Sequence, residues 1–104
     1  MYQAESAAVT VSATLASCKA FPMGSFCGGI IEIPTGSSVT SLTFYHGMTE
    51  TGDFWPLHDS DGNAITMTVA ADKAYSQPDD LNEAVYVKAV ANTDGTINWA
   101  GKAL

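Results

Sequence analysis

The sequence has no arginine and only four lysines, Lys19, Lys73, Lys88 and Lys102, against eleven Asp and Glu, for a net charge of −7 over 104 residues. That shortage of cations argues against nucleic-acid binding, because neutralising phosphates takes clustered Lys and Arg. Anionic membrane surfaces are excluded on the same ground. No apolar run approaches the roughly 20 residues that a spanning helix needs. Met1-Tyr2-Gln3-Ala4-Glu5 lacks a basic start, and no long apolar run follows it. The chain is therefore expected to be made and used without Sec export. Cysteine is scarce too, with Cys18 and Cys27 alone. Their spacing permits a disulfide closing a short loop, whereas a reducing cytoplasm favours free thiols.

Reactive motifs are also missing. His46 and His58 are the only histidines, and with Glu50, Asp53 and Asp59 they show no zinc-ligand spacing. Asp59, Asp61 and Asn63 resemble calcium-loop positions at first. The sixth and twelfth places of that loop, which need Gly and Glu, hold Ala64 and Ala70. A turn built on Asx hydrogen bonding is the better reading. No Gly-x-Ser-x-Gly elbow occurs, and Gly24-Ser25-Phe26-Cys27-Gly28 breaks that pattern. Cys27 with His46 or His58 is the one nucleophile–base pairing the residue types allow, and a buried or loop thiol is expected in its place. Gly28-Gly29 opens no phosphate cradle, since no Lys or helix start follows. These absences predict no catalytic residue, no metal and no cofactor.

What the sequence does have is rhythm. Apolar residues make up 46% of it and charged ones 14%, the balance of one globular domain over residues 1–104. From Gly28 onward, short alternating runs are cut every eight to twelve residues by turn chemistry. That pattern predicts an all-β sandwich or barrel. Val9, Val11, Ala13 and Leu15 alternate with hydroxyls, which predicts a strand over 7–15. Ile30–Ile33 closes on Pro34. Val39–His46 is the longest clean alternation. Phe54-Trp55-Pro56-Leu57 reads as an edge or bulged strand, because Pro56 cannot donate to a ladder. Ile65, Met67 and Val69 are expected to face in, with Thr66 and Thr68 facing out. Pro78–Asn82 reads as a turn or a single helical turn, and Val85–Val90 as a central strand buried on much of both faces. Asp94-Gly95 is the strongest hairpin signal, returning the chain into Ile97-Asn98-Trp99.

Two segments stand outside this rhythm. Residues 1–6 read as an extended arm, lying loose or pairing with a neighbour. Residues 17–29 hold three Gly and a Pro beside Phe21, Met23 and Phe26. In a monomer those side chains fold back on the core; in an assembly they are contact candidates. Met1, Tyr2, Phe21, Met23 and Phe26 are accordingly the expected interface residues. Trp55, Trp99, Tyr45, Tyr75 and Tyr86 fit a core or a subunit contact, or a sugar-stacking platform if exposed and coplanar.

Several of these runs carry a resemblance. Ile31-Glu32-Ile33-Pro34 is followed by Ser41-Leu42-Thr43-Phe44 and by Phe54-Trp55-Pro56-Leu57-His58-Asp59. Then come residues 62–71, Ala74-Tyr75 with Pro78, and Val85-Tyr86-Val87-Lys88. In that order they resemble a family of small tailed-bacteriophage capsid decoration, or cement, proteins, over about three quarters of the chain. The loops 48–53 and 76–84 are more acidic than the family pattern. The resemblance implies a single antiparallel, jelly-roll-like β-sandwich without catalysis. It also implies a homotrimer made in the host cytoplasm and seated on major capsid protein at the outer surface of the virion. The alternative expectation is a carbohydrate-binding or receptor-binding β-sandwich module, which rests on the aromatics.

Overall fold

Alternation of small or β-branched apolar residues with polar ones gives each strand one face to bury, and two such faces pack against each other. The computed structural model describes residues 3–23, 26 and 28–103. Its strands are β1 (Gln3–Val11), β2 (Phe21–Pro22), β3 (Gly28–Ile33), β4 (Ser41–Gly47) and β5 (Phe54–Pro56). They continue with β6 (Thr66–Thr68), β7 (Lys73–Ser76), β8 (Tyr86–Ala91) and β9 (Gly95–Ala103). Short 3-10 turns occupy Leu15–Ser17 and Asp79–Glu83. The protein is an all-β sandwich of two antiparallel sheets, ordered β1-β9-β3-β7 and β2-β8-β4-β5, with β6 also on β4.

The pairing is nested. β1 pairs with β9, β2 with β8, β3 with β7, and β4 with both β5 and β6. β5 takes Tyr45–Gly47 and β6 takes Ser41–Thr43, so the two lie end to end along one edge of β4. The contacts β3·β9 and β4·β8 then fold this ladder into two layers.

One core fills the space between the layers. Val9, Val11, Ile31, Ile33, Ile97 and Trp99 come from the first sheet. Phe21, Leu42, Phe44, Val87 and Ala89 come from the second, and Val39, Ile65, Val69 and Leu81 seal the ends. Ile65 and Val69 are buried and Thr66 and Thr68 exposed, as the alternation requires. β8 is central, between β2 and β4. β5, with its Pro56, lies at an edge.

Three expectations are corrected. The strand expected over 7–15 runs from Gln3 to Val11, and Leu15 sits in a 3-10 turn. The expected arm over 1–6 is, from Gln3 on, the start of β1, held by β9 in the register Gln3–Ala103 to Val11–Gly95. Met1 and Tyr2 lie outside the described residues. Asp94-Gly95 does not form a hairpin, because β8 and β9 belong to different sheets. A two-residue hairpin turn needs positive φ, and among the described glycines only Gly36 and Gly62 have it. The segment is instead a corner. Ser12 Oγ donates to Asp94 Oδ1 at 2.6 Å, and Asn92 Oδ1 accepts from the Thr40 and Ser41 N–H groups.

Candidate functional site

The loop residues expected at an interface face inward. Phe21 is 1% exposed and Met23 0%. Phe21 lies 5.3 Å from the Trp99 ring centroid, tilted by 39°. Phe26 meets the same ring edge-on at 5.2 Å and is half-buried. Phe21 and Met23 are therefore core residues rather than contact residues, and Phe26 is packed chiefly against that core. The physical reason is Trp99, a large ring centred in β9 that needs apolar walls. A Cβ on Gly101 would come within 2.3 Å of it, so only glycine lets the ring lie across its own strand. Trp99 Nε1 donates to Gln77 Oε1 at 3.2 Å, and Gln77 Nε2 donates to Asn82 Oδ1 at 2.9 Å. This buried relay satisfies the indole and ties the second 3-10 turn to the core.

The two histidines border one cleft. It has a volume of about 370 Å³ and is lined by His46, Leu57, His58, Asp59, Ser60, Asp80, Glu83 and Ala84. His58 Nδ1 donates to the Pro56 carbonyl at 3.0 Å, which fixes that ring by its own backbone. Asp59 Oδ1 accepts from the N–H groups of Asp61 and Asn63, both at 2.9 Å. These bonds hold its carboxyl below the ordinary range, the Asn63 N–H contributing most. Gly62, at φ +84°, completes the turn. Asp59 thus serves the Asx turn. No cluster of three metal-ligating side chains occurs among the described residues. Cys27 lies outside them, with its disulfide and nucleophile readings. Cys18 is a free, buried thiol whose Sγ donates to the Ser12 carbonyl at 3.4 Å.

The two most exposed large apolar side chains among the described residues lie on the β4–β5 hairpin, while Ile30 of β3 and Val85 before β8 are exposed to a lesser degree. Trp55 is 70% exposed and Met48 74%. Sequence alone left the two tryptophans equivalent; the fold separates them. Neighbouring residues of a strand point to opposite faces. Phe54 lies over Gly47, where a Cβ would come within 2.8 Å of its ring, and Lys88 Nζ sits 4.7 Å from the ring centroid. Trp55 therefore points to the opposite side, the side of its partner His46. β5 is a three-residue edge strand, so no further strand reaches over the indole.

Trp55 stands as a ridge between two shallow grooves. One, of about 440 Å³, is lined by Leu15, Ala16, Gly52, Asp53, Phe54 and Lys88 in addition to Trp55. The other, of about 300 Å³, is lined by His46, Met48, Thr49, Asp53 and Trp55. Asp53 borders both, and the exposed Glu50 stands in the same loop. An exposed indole with acids beside it is chemically suited to burying apolar area and to pairing with basic or hydroxyl groups. No family model, characterised protein or solved structure matches the chain.

Proposed function

We propose that this chain is a non-enzymatic structural protein of a phage virion, which decorates the outer capsid surface and stabilises it by binding between major capsid subunits. The observation that carries the proposal is the Trp55–Met48 projection on a sandwich whose other large apolar side chains are mostly packed away. Nested strand pairing supports the jelly-roll-like part of the reading. Pairs β1·β9, β2·β8, β3·β7 and β4·β5/β6 are what a long hairpin gives when it is rolled into two sheets. The mechanism is binding alone. Trp55 inserts as the anchor into an apolar pocket of the shell, and Asp53 and Glu50 meet a basic rim around it. A contact of ordinary size buries about 1,200–2,000 Å². Each seated copy raises the free energy needed to separate the subunits beneath it, and linked copies add through effective concentration.

The test is reconstruction of shells of the encoding phage with and without the protein. Density on the shell that fades with Trp55→Ala supports the proposal. No density with the wild-type protein refutes it. A second reading, a carbohydrate-binding module, is favoured by the two grooves beside Trp55 with their polar Thr49, His46 and Asp53. Glycan-array binding that disappears with Trp55→Ala, in a protein that ignores shells, selects that reading.

A further inference from the structure

A sheet edge carries unpaired backbone groups, and proteins blunt such edges with short strands, proline or lysine. Three of the four edges here are blunted. β2 has two residues and Pro22. β5 has three and Pro56, end to end with the three-residue β6. β7 has four residues and an exposed Lys73. β1 is different: nine residues, no proline, no lysine and one charge, Glu5. We propose that the free edge of β1 pairs antiparallel with the β1 edge of a second copy of this chain, centred on Ser6, and joins two four-stranded sheets into one.

The register follows from which groups point outward. The Thr10 carbonyl accepts from Lys19 N–H at 3.0 Å, and the Ser12 carbonyl from Ala91 N–H at 2.9 Å. Both carbonyls therefore face away from β9. In an antiparallel strand both backbone groups of a residue face the same side, and alternate residues share it. Hence Ala4, Ser6 and Ala8 turn N–H and C=O to the free edge, while Glu5, Ala7 and Val9 serve β9. Among the described residues nothing occupies those three outward positions. Lys19 and Ala91 already cover the edge at Thr10 and Ser12, so the open stretch among the described residues runs from Ala4 to Ala8, is centred on Ser6 and is its own antiparallel complement. Ser6 pairs with Ser6 of the second copy, Ala4 with Ala8, and Ala8 with Ala4, each pair exchanging two hydrogen bonds.

Charge also favours a second copy here. Two molecules of net charge −7 repel over most of their surface and approach most easily where charge is sparse. In this register Glu5 faces Ala7 of the other copy, and the two Glu5 residues sit diagonally, their backbone positions about 7–8 Å apart. They weaken the pairing without blocking it. The contact is isologous and two-fold, in place of the trimer that the sequence resemblance implies. It does not depend on shell binding.

The experiment is sedimentation velocity with amide hydrogen exchange, on the wild-type chain, from about 10 μM to about 1 mM, a range suited to a contact smaller than about 1,200 Å². The mass should rise from 10.9 kDa towards twice that value. Amides of Ala4, Ser6 and Ala8 should become protected as it rises, whereas Glu5, Ala7 and Val9 are protected throughout. Ser6→Pro removes an outward donor and leaves the β9 ladder intact; it should hold the chain at monomer mass. Ala8→Lys, a second variant with no backbone change, should do the same. Glu5→Gln should tighten the dimer about threefold, the Coulomb penalty of the diagonal pair in water. A wild-type monomer across the range overturns the proposal. So does a trimer, or a dimer that survives both Ser6→Pro and Ala8→Lys.

Discussion

Replacing Trp99 with alanine removes the centre of the core, and the size of the effect can be worked from its contacts. The indole is 1% exposed, meets Phe21 and Phe26, and donates to Gln77. Truncating a buried Trp costs about 3–5 kcal/mol in lost transfer energy and cavity. Losing two aromatic pairs and leaving Gln77 Oε1 without its donor places the outcome at the upper end, near 5 kcal/mol. A domain of this size has about 5–15 kcal/mol in total. The variant should therefore be at the margin of folding at 25 °C. The assay is urea unfolding followed by far-UV circular dichroism, which does not rely on the removed fluorophore. With a slope of roughly 1–2 kcal/mol/M, the midpoint should fall by about 2.5–5 M. Trp55→Ala is the internal control. Its ring is 70% exposed, so stability should change by about 0.5 kcal/mol or less. A Trp99→Ala loss under about 2 kcal/mol, or a Trp55→Ala variant that unfolds, would refute the assignment of the two rings.

Gly47→Ala should push the Phe54 ring away from Lys88, because the new Cβ falls 2.8 Å from that ring. The cost of such overpacking is about 1–3 kcal/mol, and calorimetry should show a Tm lowered by at least about 4 °C; an unchanged Tm refutes the packing. The Asp59 carboxyl is held low by the Asn63 and Asp61 N–H groups, so its contribution is present above the unfolded pKa and is lost as pH falls through the folded value. NMR titration should find its midpoint below the ordinary 3.8, and Asn63→Pro, which deletes the main donor, should raise it. Burial pushes the Cys18 thiol up. In a Cys27→Ser background, Cys18 should therefore react with a disulfide reagent at pH 8 only as fast as the chain opens. Immediate labelling in the native state counts against its burial.

Local period-two signals made much of the sandwich legible. Leu42 and Phe44 face in because the strand alternates, and no distant residue is needed to say so. Pro56 marked β5 as an edge because a missing donor is a property of the residue. Asp59 and Gly62 marked their turn through short-range hydrogen bonds and positive φ. The site was less legible. Phe21 and Met23 looked like contact residues because a Gly-rich loop gives no sign of what lies under it. Trp99 is under it, brought there by the pairing of β9 with β3 and of β2 with β8.

The sequence by itself determined the layer: short strands with one apolar face, a cation-poor surface, and turns where Asx and Gly chemistry demands them. These are short-range consequences of side-chain shape and charge. Only the tertiary structure decided the partners: β9 leaving β8 for the opposite sheet, Gln3–Ser6 joining a strand, Trp99 enclosed and Trp55 left in water. Those outcomes turn on contacts such as Ser12 with Asp94, whose sequence separation is 82. A pairing across that distance is selected by how whole faces fit, and the local pattern of either segment is the same whichever partner wins.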